Sequence, residues 1–165
     1  MKLLVTGGNG LVGSAITAEF KPDRNELDLM DFDSIVDYIE QNEITHIIHC
    51  AAKVGGIKAN MEHLGEFFYE NIIMNSNVLE AARQCGVEKV VSFMSTCVFP
   101  DDATHPLSVF QIHNGEPHSS NYAYAYAKRM LEVQSRAYRE QYGCNFVTVI
   151  PVSYTHLTLP TILRV

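Results

Sequence analysis

The opening of the chain constrains its fold more than any other stretch. Lys2 to Thr6 is a short, apolar, β-prone run that leads directly into Gly7-Gly8-Asn9-Gly10-Leu11-Val12-Gly13, after which Leu11 to Phe20 reads as a helix. Strand, glycine cluster and helix, in that order, begin a βαβ unit. Gly7 permits a tight turn, Gly10 lets a pyrophosphate approach the backbone, and Gly13 lets the helix pack close to the sheet. The helix N-terminus then offers free N–H groups and the positive end of its dipole to phosphates. The spacing is G-x-x-G-x-x-G rather than G-x-G-x-x-G, so a glycine-rich turn without a ligand stays open as the plain alternative.

The remaining chain continues the alternation. Asp31 or Asp33 can N-cap a second helix with Ile35, Val36 and Ile39 on one face. Thr45 to Ala52 is a near-continuously apolar strand of the kind covered on both faces. Glu66 to Cys85 forms a long helix with Phe67, Asn71, Met74, Val78 and Ala82 at helical spacing and Gly86 as its stop. Lys89 to Met94 is another buried strand, Pro100 to Ser120 a long polar loop, Tyr124 to Tyr142 a helix closed by Gly143, and Asn145 to Ile150 a final strand. Strands alternating with helices predict an α/β fold with a doubly wound parallel sheet. A second strand after the first helix has room only for a stub over Phe20 to Arg24, and Pro22 argues against more.

Composition narrows the function classes. The 165 residues carry 47% hydrophobic and 19% charged residues and a net charge of −7, which speaks against nucleic-acid binding. No apolar run is long enough for a membrane span, and no signal peptide is read at the start. Cys50, Cys85, Cys97 and Cys144 form no C-x-x-C pair, and a reduced, cytoplasmic setting suits them.

The chemistry gathers in the second half. Tyr124-Ala-Tyr-Ala-Lys128 sets a phenol and an ammonium at i, i+4 on one helical face, where the lysine stabilises the phenolate and readies the tyrosine for proton exchange. Tyr122 and Tyr126 compete for the role, but neither has a lysine four residues later. Ser95 follows a buried strand and so falls at a carboxyl strand end, where such sheets bind ligands; a strand-end turn is the bland reading. Arg24 is the only arginine placed to hold a 2′-phosphate, with a solvated surface arginine as the rival reading. Asp28 and Leu29 can line an adenine pocket, or Asp28 can merely turn the chain.

Three stretches, Ala51-Ala-Lys-Val-Gly-Gly-Ile57, Ser95-Thr-Cys-Val-Phe-Pro100 and Ile112-His-Asn-Gly-Glu-Pro-His-Ser-Ser-Asn-Tyr-Ala-Tyr-Ala-Tyr-Ala-Lys-Arg-Met130, resemble the GDP-L-fucose synthase family of extended short-chain dehydrogenases/reductases over residues 1–151. The resemblance implies a Rossmann-type domain, truncated before the C-terminal substrate lobe. It makes Ser95, Tyr124 and Lys128 a reductase triad and Cys97 an epimerisation base. It sets Ala51, Ala52, Val54 and Met94 beside NADPH, together with the glycine loop, Arg24, Asp28 and Leu29. It also implies a GDP-sugar substrate, GDP-4-keto-6-deoxy-D-mannose, and a homodimer formed through the long helices. A thiolate base needs a lowered pKa, which charge near Lys128 can supply; a lone cysteine after a strand otherwise reads as a small buried hydrophobe. About nine residues near Phe20 are missing relative to the family pattern, and so is the family's histidine acid, for which His156 is no substitute. Residues 152–165 have no family counterpart, resemble translated sequencing-adapter read-through, and are expected to be an artefactual tail outside the site. The competing readings are another nucleotide-sugar epimerase, dehydratase or reductase of the superfamily, and a non-catalytic dinucleotide-binding fragment.

Overall fold

The computed structural model describes residues 1–151; the expectations for the tail and for His156 fall outside the described residues. Four strands, β1 (Leu3–Thr6), β2 (His46–His49), β3 (Lys89–Phe93) and β4 (Phe146–Val149), form one parallel sheet in the order β1-β2-β3-β4. The register aligns Leu4, Ile47, Val90 and Phe146 in one row across the sheet. All four side chains are buried. Each such side chain contributes about 1.5–3 kcal/mol through removal from water.

Phe20 bridges Leu4 on the side of β1 away from β2, its N–H donating to Leu3 O at 3.3 Å and its carbonyl accepting from Val5 N at 2.9 Å. The second strand is thus a one-residue stub, as its sequence room predicts. The chain leaves β1 in one direction for Phe20 and returns on the other side as β2, so the carboxyl end of β1 is the switch point at which open α/β sheets bind ligands.

Helix α1 (Leu11–Ser14) is a single turn, not the run to Phe20 read from the sequence. Its length is set by geometry: Phe20 must lie beside the middle of β1, and a ten-residue helix of about 15 Å would use up the chain needed to get there. Helix α2 (Phe32–Gln41) is capped by Asp31, whose carboxylate accepts from Ser34 N at 3.3 Å, and it buries Ile35 and Ile39. Six-residue α3 (Ile57–Glu62), absent from the sequence reading, precedes α4 (Leu64–Gln84). Helix α5 (Tyr122–Tyr142) starts two residues before its expected start and ends at Gly143, whose φ of 69° is the left-handed conformation that lets the chain turn back into β4. Helices α2, α4 and α5 pack side by side, with Ile39, Val78, Leu79 and Leu131 in the shared core. The long loop 100–120 is not free of structure: Val109–Gln111 forms a 3₁₀ turn closed by a reciprocal Ser108–Gln111 capping box. Arg129 Nη1 and the His113–Glu132 pair, at 2.8 and 2.9 Å, tie the loop to α5.

Candidate functional site

A cavity of about 810 Å³ opens at the carboxyl ends of β1, β2 and β3, in the upper part of the range usual for ligand pockets. Its floor is the glycine loop. Gly7 has φ +69°, and a Cβ there would lie 2.7 Å from Ala51 N and Cα. A Cβ on Gly13 would lie 2.2 Å from Gly7 O. Gly13 is therefore required by contact between the helix and its own loop, rather than between helix and strand. With α1 only four residues long, an anion at this floor would be met by the unpaired N–H groups of a first turn and not by the dipole of a long helix.

The expected cofactor positions Gly7, Gly8, Asn9, Gly10, Leu11, Val12, Gly13, Arg24, Asp28, Leu29, Ala51, Ala52, Val54, Met94, Ser95, Tyr124 and Lys128 all line this one cavity. Arg24 is exposed at its mouth, and its guanidinium makes no hydrogen bond or ion pair among the described residues. Asp28 Oδ1 accepts from Met30 N at 3.0 Å, so it also serves the turn that the plain reading gave it. Leu29 is buried against the core.

Lys128 is 2% exposed, and its Nζ donates to Phe93 O at 3.1 Å. Burial brings its pKa down to about 8, against the opposing influence of Cys97 and Cys50. Tyr124 lies one turn earlier and is half-buried. Of the competing tyrosines, neither lines the cavity: Tyr126 lies under the Arg129 guanidinium at 5.1 Å and Tyr122 is exposed. Ser95 precedes the 3₁₀ turn Thr96–Val98, and its carbonyl accepts from Val98 N at 3.1 Å.

Cys97 does not line the large cavity. It sits in the 3₁₀ turn and faces a second hollow of about 250 Å³ with His105, His118 and Asn121. Its pKa is raised, not lowered as a thiolate base would require. Burial dominates, while a hydrogen bond from Ser95 and the charges of Lys128 and Arg129 pull the other way. The positive charge expected from Lys128 is there, but desolvation outweighs it, as the rival reading of a small buried cysteine implies. Arg129, 3% exposed, supports this turn: its Nε donates to Val98 O at 2.7 Å.

Several side chains that shape the site were not among the expected site residues. Asn71 clamps the Lys53 backbone, accepting from its N–H and donating to its carbonyl, both at 3.0 Å, and so fixes the Ala51–Val54 strand exit against α4. Lys53 Nζ pairs with Glu66 and Glu70 at the rim. Cys50 lines the cavity with its thiol pKa raised to about 11 by burial. Asn71 was legible as a polar residue on an otherwise apolar helical stripe; the others give no such signal.

A parallel sheet with a glycine loop at its switch point and one large cavity along its carboxyl ends places the molecule in the Rossmann-like class of α/β proteins. Within that class, the chain belongs to the NAD dependent epimerase/dehydratase family, whose pattern matches residues 3–155. It is 47% identical over 162 residues to a GDP-L-fucose synthase of Dictyostelium discoideum, covering 92% of this chain and 51% of that protein. It is 42% identical over 161 residues to a probable GDP-L-fucose synthase of Drosophila melanogaster, covering 91% and 50%. A crystal structure of a GDP-L-fucose synthetase from Naegleria fowleri bound to NADP superimposes with a TM-score of 0.82 at 40% identity, covering 90% of this chain and 49% of that one. The chain spans about half the length of the curated relatives it matches.

Proposed function

We propose that residues 1–151 are the dinucleotide-binding domain of an NADPH-dependent enzyme that converts GDP-4-keto-6-deoxy-D-mannose to GDP-L-fucose, epimerising C-3 and C-5 and then reducing the C-4 ketone. The observation that carries this reading is the convergence of the glycine loop, Ser95, Tyr124 and Lys128 on one cavity, in a chain so similar to GDP-L-fucose synthases. The residues suit a dinucleotide: Gly7 and Gly13 leave a bare backbone floor where any side chain would collide. Arg24 stands at the mouth without a carboxylate partner among the described residues, as a 2′-phosphate would require.

Bound NADPH would supply the hydride for C-4. Tyr124 gives its phenolic proton to the C-4 oxygen, and the Lys128 ammonium lowers the cost of the phenolate left behind. Ser95 donates to the same oxygen, stabilising the charge it gains in both half-reactions. Cys97, whose hollow adjoins the turn after Ser95, takes the protons from C-3 and C-5, which the ketone acidifies, and an acid outside residues 1–151 returns a proton to the opposite face of each carbon. The buried thiol must first ionise, and Lys128 and Arg129 are the charges that favour this. Pairing of two copies through the long helices, here α4 and α5, belongs to the same reading; α4 carries exposed Phe68 and Tyr69.

The test uses a chain extended to the length of its relatives. Tyr124→Phe should slow solvent-deuterium exchange at C-3 and C-5 and ketone reduction alike, by about 10²–10⁴-fold. Cys97→Ser should suppress exchange and spare reduction of a pre-epimerised ketone. Exchange at the wild-type rate in Cys97→Ser would remove Cys97 from the mechanism. The 165-residue chain itself, which spans about half the length of its relatives, should bind NADPH with negligible turnover.

A further inference from the structure

The sheet carries a polar row where burial calls for an apolar one. Two residues beyond the Leu4–Ile47–Val90–Phe146 row, on the same face, the register aligns Thr6, His49, Ser92 and Thr148. His49 is fully buried, yet both ring nitrogens are engaged. Nδ1 lies 2.7 Å from Thr6 Oγ1 and Nε2 lies 2.9 Å from Asn75 Oδ1, while Asn75 Nδ2 donates to Ala127 O at 3.1 Å.

The direction of every bond follows from its last member. A backbone carbonyl only accepts, so Asn75 turns its amino group to Ala127 and its oxygen to the ring. That oxygen only accepts, so Nε2 carries the hydrogen. Nδ1 then holds a lone pair and the Thr6 hydroxyl donates to it. The chain of bonds closes around a neutral imidazole in one tautomer. Burial, reinforced by the Lys128 charge, pushes the His49 pKa down to about 3, consistent with that wiring.

The two ends of this chain of bonds adjoin two different parts of the cavity lining, the glycine loop and the Tyr124–Lys128 turn of α5. Thr6 closes β1 and adjoins Gly7; Ala127 adjoins Lys128 on the helix that carries Tyr124. His49 and Asn75 themselves lie behind the cavity and do not line it. Apolar contact between a sheet and its helices tolerates repacking by small shifts, whereas directional buried hydrogen bonds fix one arrangement. We propose that Thr6, His49 and Asn75 form a positioning relay that sets the separation between the glycine loop and the Tyr124–Lys128 face of α5, and with it the span that a bound dinucleotide must bridge. The inference rests on the dinucleotide reading given above.

The experiment has two arms, both on the 165-residue chain. In the first, ring ¹⁵N NMR identifies the His49 resonances as those lost in His49→Gln. Nδ1 should show the unprotonated shift and Nε2 the protonated one, unchanged from about pH 5.5 to 8. An Nδ1–H tautomer, or titration in that window, would overturn the relay. In the second, dissociation constants are measured for NADPH and for 2′,5′-ADP, which occupies only the phosphate-adenosine end. His49→Leu and Asn75→Leu should weaken NADPH by about tenfold or more and 2′,5′-ADP by less than about twofold. Equal losses for both ligands, or no loss for either, would reduce the network to ordinary core packing. If the wild-type chain binds no NADPH, the functional reading fails, while the ring spectrum still decides the wiring. If neither leucine variant folds, the wild-type spectrum stands as the deciding measurement.

Discussion

Gly13→Ala offers a sharp test of how the cavity floor is built. The added Cβ would lie 2.2 Å from Gly7 O, 2.9 Å from Gly7 C and 2.9 Å from Gly8 Cα. Carbon–oxygen contacts closer than about 3.0 Å are essentially unknown in folded proteins, so α1 and the glycine loop must part by at least about 0.8 Å. All three opposing atoms are backbone, so no side-chain rotation relieves the contact. Overpacking of this kind costs about 1–3 kcal/mol, offset by the roughly 0.5–1 kcal/mol that alanine gains over glycine in a helix. The expected net loss is at most about 2.5 kcal/mol, or up to roughly 10 °C in melting temperature for a chain of this size. NADPH affinity should fall by more than about tenfold, because on the proposed function the displaced N–H groups are those that would meet the pyrophosphate. Gly65→Ala is the internal control. It lies in the first turn of α4, and an added Cβ meets nothing within 4 Å. It should leave affinity unchanged and hold or slightly raise stability. Thermal melts and fluorescence titration of both variants decide the matter. A Gly13→Ala chain as stable and as tight-binding as wild type would refute the claim that loop and helix are in obligatory contact.

Three further outcomes follow from the site. NADPH should bind more tightly than NADH, and Arg24→Ala should erase the difference; equal dissociation constants in the wild-type chain would remove Arg24 from cofactor selection. Lys128→Met should stabilise the apo chain at pH 7 by at most roughly 3 kcal/mol, since burial holds the folded-state pKa near 8 instead of 10.5. The folded chain binds fewer protons than the unfolded one between those values. The penalty is therefore fully present below pH 8 and is lost as pH rises toward 10.5, so melts across that range should show the advantage of Lys128→Met fading. Deleting residues 152–165 should leave NADPH affinity and the melting temperature unchanged, and a marked loss of either would make the tail part of the domain.

The features legible in the sequence are those fixed by local chemistry. The glycine spacing, the Asp31 cap, the Gly86 and Gly143 stops and the i, i+4 pairing of Tyr124 with Lys128 each depend on a few neighbouring residues. What escaped depends on distance through space. The length of α1 is decided by where Phe20 meets β1. The ionisation of Cys97 is decided by how deeply its turn is buried. The His49 relay joins residues 43 and 26 positions apart, and in the sequence His49 is merely a polar interruption of an apolar strand. Helix α3 has no side-chain cap to announce it.

The one-residue stub at Phe20 also bears on how such a domain can change. From Ala15 to Met30 the chain pairs with the sheet at a single bridge and is otherwise held by Leu27 and Leu29 in the core, with the exposed Arg24 between these anchors. The opposite wall of the cavity is carried by β3, paired on both sides within the sheet, and by α5, packed against α4 and β4. Lengthening a surface connection costs little, about 0.6 kcal/mol for each doubling. On the proposed function, insertions and deletions can therefore accumulate beside Arg24, where the adenosine would lie, while the residues that would handle the carbonyl stay where they are. The two ends of the cavity are free to evolve at different rates.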